Sequence, residues 1–166
     1  MSACGSSNSP RVGATAQQAA GSPAPPAPSR FLAVDAGAHT VTITLIASYD
    51  GTNNGFNFDG YSRELMWTVP RGWKVHVVCK NRGPLRHSCA VVQGAGTAKL
   101  SFRGAATSQP QVGIEAGGTA SFTFRATKVG VYRFVCLVPG HEAARMWDVL
   151  KIVRGGRPSA VDLRAH

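Results

Sequence analysis

Apolar residues recur at every second position in several short stretches of this chain, and the breaks between them are rich in Gly, Pro and Asn. Val41, Ile43 and Leu45 alternate with Thr40, Thr42 and Thr44. A period of two predicts a strand over 40–47 with one buried and one wet face. A second strand is expected over 64–69, stopped by Pro70-Arg71-Gly72. A third runs over 73–80 and places Trp73, Val75, Val77 and Cys79 on one face. Its other face holds Lys74, His76 and Lys80, so His76 is read as a surface residue. Asn81-Arg82-Gly83-Pro84 is a turn, and further strands are expected over 89–92, 119–124, 131–136 and 147–153. Residues 94–118 are Gly-rich and polar, a long loop with one short strand near Leu100. No long helical pattern is present. Many short strands separated by turn signals predict an all-β Greek-key sandwich of two sheets and seven or eight strands.

The ends of the chain have a different composition. Residues 1–30 are mostly Ser, Ala, Gly, Pro and Gln, and Pro23-Ala24-Pro25-Pro26-Ala27-Pro28 is a stiff spacer. Such a segment buries too little apolar surface to offset its ordering entropy, so 1–30 is expected to be a disordered tether. The folded domain is then 31–155, with a short tail over 156–166. Ser2-Ala3-Cys4-Gly5-Ser6-Ser7 resembles a bacterial lipoprotein processing box, which makes Cys4 a candidate for lipidation. No stretch is apolar enough to span a membrane. The expectation is an exported monomer on the periplasmic or extracellular face of the cytoplasmic membrane, held there by a lipid.

The 166 residues carry 18 basic and 8 acidic side chains, a formal charge of +10. That charge steers acidic partners over long range. The basic residues are scattered and no nucleic-acid-binding motif is visible, so nucleic acid is not an expected partner.

The chemistry concentrates in Cys136-Leu137-Val138-Pro139-Gly140-His141 and the following Met146. Alone, a Cys at a strand end reads as a small buried hydrophobe, and a Met as core filler. Together with His87 from an earlier strand end, they supply one thiolate, two imidazoles and one thioether. That is the donor set of a blue-copper centre, in which two His and one Cys lie in a plane with a weak axial Met. Soft sulfur donors favour Cu(I) and imidazoles also suit Cu(II), so one copper can cycle between both states. A structural zinc site needs four strong donors in paired motifs, and Cys4, Cys79 and Cys89 make no second cluster. One mononuclear site, with metal ligands His87, Cys136, His141 and Met146, is the natural count.

Several further segments carry a family likeness. They are Phe56-Asn57-Phe58-Asp59-Gly60, Val69-Pro70-Arg71-Gly72-Trp73, Cys79-Lys80-Asn81, His87-Ser88, the Cys136–His141 run and Met146-Trp147. Over about 40–153 the chain resembles a cupredoxin, most of all the sulfocyanin group, with a ligand loop shared with rusticyanin and auracyanin. Two positions depart from the group pattern: Asp59 stands where it has Asn, and Arg145 where it has Gly. Neither is a ligand position. Many cupredoxins have Asn after the first ligand His, tying the two ligand loops together; here it is Ser88, as in rusticyanin-like proteins. Fewer hydrogen bonds to the thiolate then imply a reduction potential toward the high end, which Ser88→Asn lowers.

The resemblance implies an electron carrier rather than an enzyme, cycling Cu(II)/Cu(I) between respiratory redox partners such as a cytochrome or a terminal oxidase subunit. Electrons are expected to pass at the edge of His141, within an apolar docking patch of Leu137, Val138, Pro139, Gly140, Ala143 and Ala144. Arg86 and Arg145 border it. A copper carrier or store is the alternative, but it tends to use several Met or Cys per metal, and three Met occur in this chain. A small copper enzyme needs an open coordination position or a second copper, and Met146 and the lack of a His-x-His pair argue against both. Cys79 and Cys89 both point inward. A disulfide is compatible with export, but the apolar position of Cys79 favours two buried thiols.

Overall fold

The computed structural model describes residues 24–165. Cys4 and most of the expected tether lie outside the described residues. Among the described residues nine strands form: β1 (Leu32–Asp35), β2 (Thr40–Ala47), β3 (Leu65–Pro70), β4 (Lys74–Asn81), β5 (Ala90–Val92), β6 (Thr119–Arg125), β7 (Gly130–Val135), β8 (Trp147–Val153) and β9 (Ser159–Asp162). They make a four-stranded sheet in the order β1-β2-β4-β6 and a five-stranded sheet in the order β5-β7-β8-β3-β9. β2 and β4 are parallel, and so are β3 and β8; the other pairs are antiparallel. Because β3 lies in the sheet opposite β2 and β4, the chain crosses the sandwich twice between them. This crossing is why the expected Greek-key architecture results.

Alternation in sequence becomes alternation in burial. Along β2 every second residue is buried, and Val41, Ile43, Leu45 and Ala47 are fully so. Val75, Val77 and Cys79 of β4 join them from the next strand. Across the sandwich, Leu65, Trp67 and Val69 of β3, Tyr132 and Phe134 of β7, and Leu150 and Ile152 of β8 close the same core. Burying each large apolar side chain contributes about 1.5–3 kcal/mol, enough to hold both sheets in register. His76 is half-buried on the outer face, where its ring shares a hydrogen bond with Thr123 Oγ1 (2.9 Å).

Three features differ from the expectation. β1 and β9 are additional edge strands, and β9 places residues 159–162 of the expected tail against β3. Pro28–Phe31 form a 3-10 turn with Phe31 buried, and the Tyr61 hydroxyl donates to the Pro26 carbonyl (2.9 Å). The last residues of the expected tether therefore pack on the domain. Near Leu100 there is a single bridge to Val92 rather than a strand.

Cys79 and Cys89 are not two thiols. They form a disulfide, with Cα atoms 6.0 Å apart. Alternation correctly points both into the core, but Cys79 hangs from the four-stranded sheet and Cys89 immediately precedes β5 of the other. The partner of each lies across the sandwich, a relationship that the period of a single strand does not encode. The bridge closes the loop that carries His87.

Candidate metal centre

Two loops at one end of the sandwich bring the donors together. His87 and Ser88 lie between β4 and β5. His87 is paired through its backbone with Ile114, donating to its carbonyl (3.2 Å) and accepting from its N–H (2.6 Å). The buried Asn81 side chain donates to the carbonyls of Leu85 and Ile114 and accepts from the Gly83 N–H. The segment under His87 leaves no room for a side chain at Gly113, where a Cβ would lie 2.8 Å from Val138 and 3.0 Å from the His87 carbonyl. The first ligand is thus set on rigid backbone.

Cys136 follows β7 directly, and the loop to Trp147 is pinned at its neck. Cys136 N–H donates to the Met146 carbonyl (3.1 Å), and Met146 N–H donates to the His141 carbonyl (3.0 Å). Glu142 accepts from the Gly96 N–H and pairs with Arg133 (2.9 Å), whose guanidinium lies 3.8 Å from the Trp147 ring centre. On the other side, Asn53 donates to the Ala144 carbonyl (2.7 Å) and Ser62 to the Arg145 carbonyl (2.8 Å).

Within this frame Cys136 Sγ lies 3.3 Å from His141 Nδ1 and 3.9 Å from His87 Nδ1. The ligand atoms of the three residues all lie within 4.8 Å of one another, so a single ion can be shared by them. Met146 is fully buried in the same core. Among the described residues this is the one cluster of metal-ligating side chains. His87 and Cys136 are sealed, while His141 keeps 8% of its surface exposed.

The electrostatics suit a metal. Burial pushes the Cys136 thiol up, against hydrogen bonds from the backbone of Ser88 and Val138. Burial and the neighbouring His141 bring His87 down to about 4, and burial also lowers His141. Both rings are therefore held neutral with a lone pair to give. A buried thiol and two neutral imidazoles, with a buried methionine on the same loop, fit the donor preferences of type 1 copper.

The other expected site residues are distributed around this centre. Ser88 donates its N–H to Cys136 Sγ (3.3 Å), while its hydroxyl lies 3.8 Å from the sulfur and accepts from Leu137 N–H (2.9 Å). A serine therefore ties the two loops here. Pro139, Gly140 and Ala143 are exposed; Leu137, Val138 and Ala144 are half-buried. Leu137 packs against a small cluster of Ala90, Val92 and Val135. Arg145 is exposed, whereas Arg86 is paired with Glu115 (2.6 Å). Three contributors escaped the sequence reading. Phe56 sets its ring edge-on to His141 (5.0 Å between centres) and near His87 (6.4 Å); Leu85 is exposed beside His87; and Ser48 Oγ lies 2.9 Å from His87 Nε2. Phe56 opens the Phe-Asn-Phe-Asp-Gly likeness, the one signal in the sequence that pointed to it.

The family profile described as Sulfocyanin (SoxE) domain matches residues 28–156. The chain belongs to the sulfocyanin family. It is 32% identical over 124 residues to sulfocyanin of Sulfolobus acidocaldarius, a match covering 67% of this chain and 62% of that one. It thus spans just under two thirds of that sulfocyanin's length. Among solved structures, dithionite-reduced auracyanin of the photosynthetic bacterium Roseiflexus castenholzii is similar, with 27% identity and a TM-score of 0.52, covering 68% of this chain and 96% of that one. Rusticyanin of Thiobacillus ferrooxidans shares the fold, with a TM-score of 0.52 and 19% identity over 74% of this chain and 86% of its own.

Asp59 and Arg145, the two positions that the sequence reading set apart, both hold left-handed backbone, at φ 57° and φ 68°. Gly enters this region most readily and Asn or Asp occasionally, so Arg145 is the more strained of the two. Position 59 carries a buried carboxyl and position 145 an exposed cation next to Met146 in the chain.

Proposed function

We propose that this sulfocyanin is a type 1 copper electron carrier, holding one copper through His87, Cys136, His141 and Met146. The observation that carries the reading is the single buried thiol set against two ring nitrogens at 3.3 and 3.9 Å, with the fully buried Met146 tied through its backbone to Cys136 and His141. Bound copper supplies a one-electron Cu(II)/Cu(I) couple. The chain's part is to keep the donors nearly fixed, exclude water and expose one ligand edge. Disulfide, Asn81, Ser88 and the Arg133–Glu142 pair do the first. Phe56, Val138 and the sealed His87 do the second.

His141 is the least buried of the ligands, so its ring edge is the shortest route to a partner. Exposed Pro139, Gly140 and Ala143 on its own loop, with Leu85 beside His87, offer small or apolar surface suited to brief docking. The partner is a redox protein such as a cytochrome or a terminal oxidase subunit of a respiratory chain. With Arg86 already paired, steering at this end falls to Arg145 and Arg82. The carrier works outside the cytoplasm, where Cys79–Cys89 persists, and Cys4 is the residue through which a lipid would hold it at the membrane. No helix among the described residues is long and apolar enough to cross a membrane.

The test is voltammetry of the copper-loaded protein. One reversible one-electron wave at one copper per chain, without turnover of oxygen or nitrite, is expected. Catalytic turnover of either, or rapid loss of the metal to a weak chelator, contradicts a carrier of electrons.

A further inference from the structure

We infer that Ser48 is a positioning residue for this centre: its hydroxyl accepts the Nε2–H of His87 and so fixes the ring form that turns a bare Nδ1 toward Cys136. The inference rests on the reading of His87 as a metal ligand. Neutral imidazole carries one N–H and one acceptor nitrogen, and which is which depends on its partners. Ser48 Oγ lies 2.9 Å from His87 Nε2 and 2.7 Å from the Gly55 carbonyl oxygen. A carbonyl only accepts, so the one hydroxyl proton of Ser48 goes to Gly55. The Ser48 oxygen can then meet His87 Nε2 only as an acceptor. The proton of the ring sits on Nε2, and Nδ1 is free on the side of the sulfur.

Two independent features show that the position is built. Ser48 holds a left-handed backbone, φ 51°, which non-glycine residues enter only with strain. Such strain survives where the surroundings impose it, and it is commonest at functional sites. Gly83 faces the same spot. A Cβ there would overlap Ser48 Oγ, come within 2.6 Å of Ser48 Cβ and stand 3.5 Å from His87 Nε2. Gly83 is thus glycine for want of room, and the room is occupied by the Ser48 side chain. A ligand imidazole that donates its far N–H becomes a stronger and better-aimed donor.

The experiment is long-range proton–nitrogen NMR of the copper-free protein near neutral pH, comparing wild type with Ser48→Ala and Ser48→Gly. Wild type is expected to show His87 protonated at Nε2 alone. Both variants should populate the Nδ1–H form, and Ser48→Gly does so while relieving the backbone strain, so its fold is not at risk. Cu(I) affinity by chelator competition should fall about tenfold or more, the range typical when the partner of a ligand imidazole is lost. An unchanged His87 ring form in both variants, or an unchanged affinity, overturns the assignment. The ring form is read without metal, so it stands or falls separately from electron transfer by the loaded protein.

Discussion

The Ser88 hydroxyl accepts a hydrogen bond from the Leu137 backbone N–H at 2.9 Å, joining the loop of His87 to the loop that begins at Cys136. The two ligand loops lie 49 positions apart in the chain, and this contact makes them one unit. Ser88→Ala strands the Leu137 N–H in half-buried surroundings. The expected loss is about 1–2 kcal/mol, read as a lower urea midpoint of the copper-free protein. A midpoint equal to wild type would sink the tie.

The Cys79–Cys89 bridge closes a loop with a sequence separation of 10, and the chain-entropy model gives such a loop about 2–3 kcal/mol. Replacing both cysteines by Ala should lower the denaturant midpoint accordingly and weaken metal binding, because His87 rides on that loop. In the unfolded, unreduced protein these two cysteines should resist alkylation until a reductant is added. Immediate alkylation of Cys79 and Cys89 would mean the bridge does not form.

Asp59 is fully buried, and its Oδ1 accepts from the Ile46 N–H (2.8 Å) while Oδ2 has no partner. Burial raises its pKa well above the ordinary carboxylate range; the Ile46 bond opposes this and nearby Asp148 adds to it. A folded-state pKa above the unfolded value gives a contribution that is whole at acid pH, below about 4, and is lost as pH rises toward the folded pKa. Asp148, also fully buried and also raised, acts in the same direction. Stability should therefore fall from acid toward neutral pH, and Asp59→Asn should flatten part of that fall. Asn also tolerates φ 57° and keeps a neutral side chain there at every pH. Thermal melts at pH 3 and pH 7 decide it: an equal acid-to-neutral drop in wild type and Asp59→Asn removes the argument.

Much of this architecture was legible from alternation alone. The seven expected strands all form; in β2, β3, β4 and β8 alternate apolar residues on one face decide the register. β1 and β9 were missed because four residues such as Ser159-Ala160-Val161-Asp162 have no clear period; β3 and β2 supply the order. The Cys136–Met146 loop was legible because its ligands are close in sequence. Ser48 and Phe56 were not, since their relation to His87 and His141 is created by the loop over 48–63 folding across the end of the sandwich. The disulfide was missed for the same reason, as a contact between sheets.

Metal binding should weaken in stages as pH falls. Capture of the ion must displace the raised thiol proton of Cys136, so apparent affinity should fall about tenfold per pH unit below neutrality. His87 stays neutral down to about 4, and burial also lowers His141; as each ring takes up its proton it competes as well, and the slope should steepen toward about a thousandfold per unit once both are protonated. Chelator competition across pH 3–7 reads these stages. A flat profile above 4 would mean that the thiol is not a ligand.

The most direct measurement is the visible and paramagnetic resonance spectrum of the oxidised, copper-loaded protein, beside that of Cys136→Ser. An intense visible band from a thiolate bound to Cu(II), present in wild type and gone in the folded variant, is the predicted result. A colourless wild-type protein, or a band that survives in Cys136→Ser, contradicts the account.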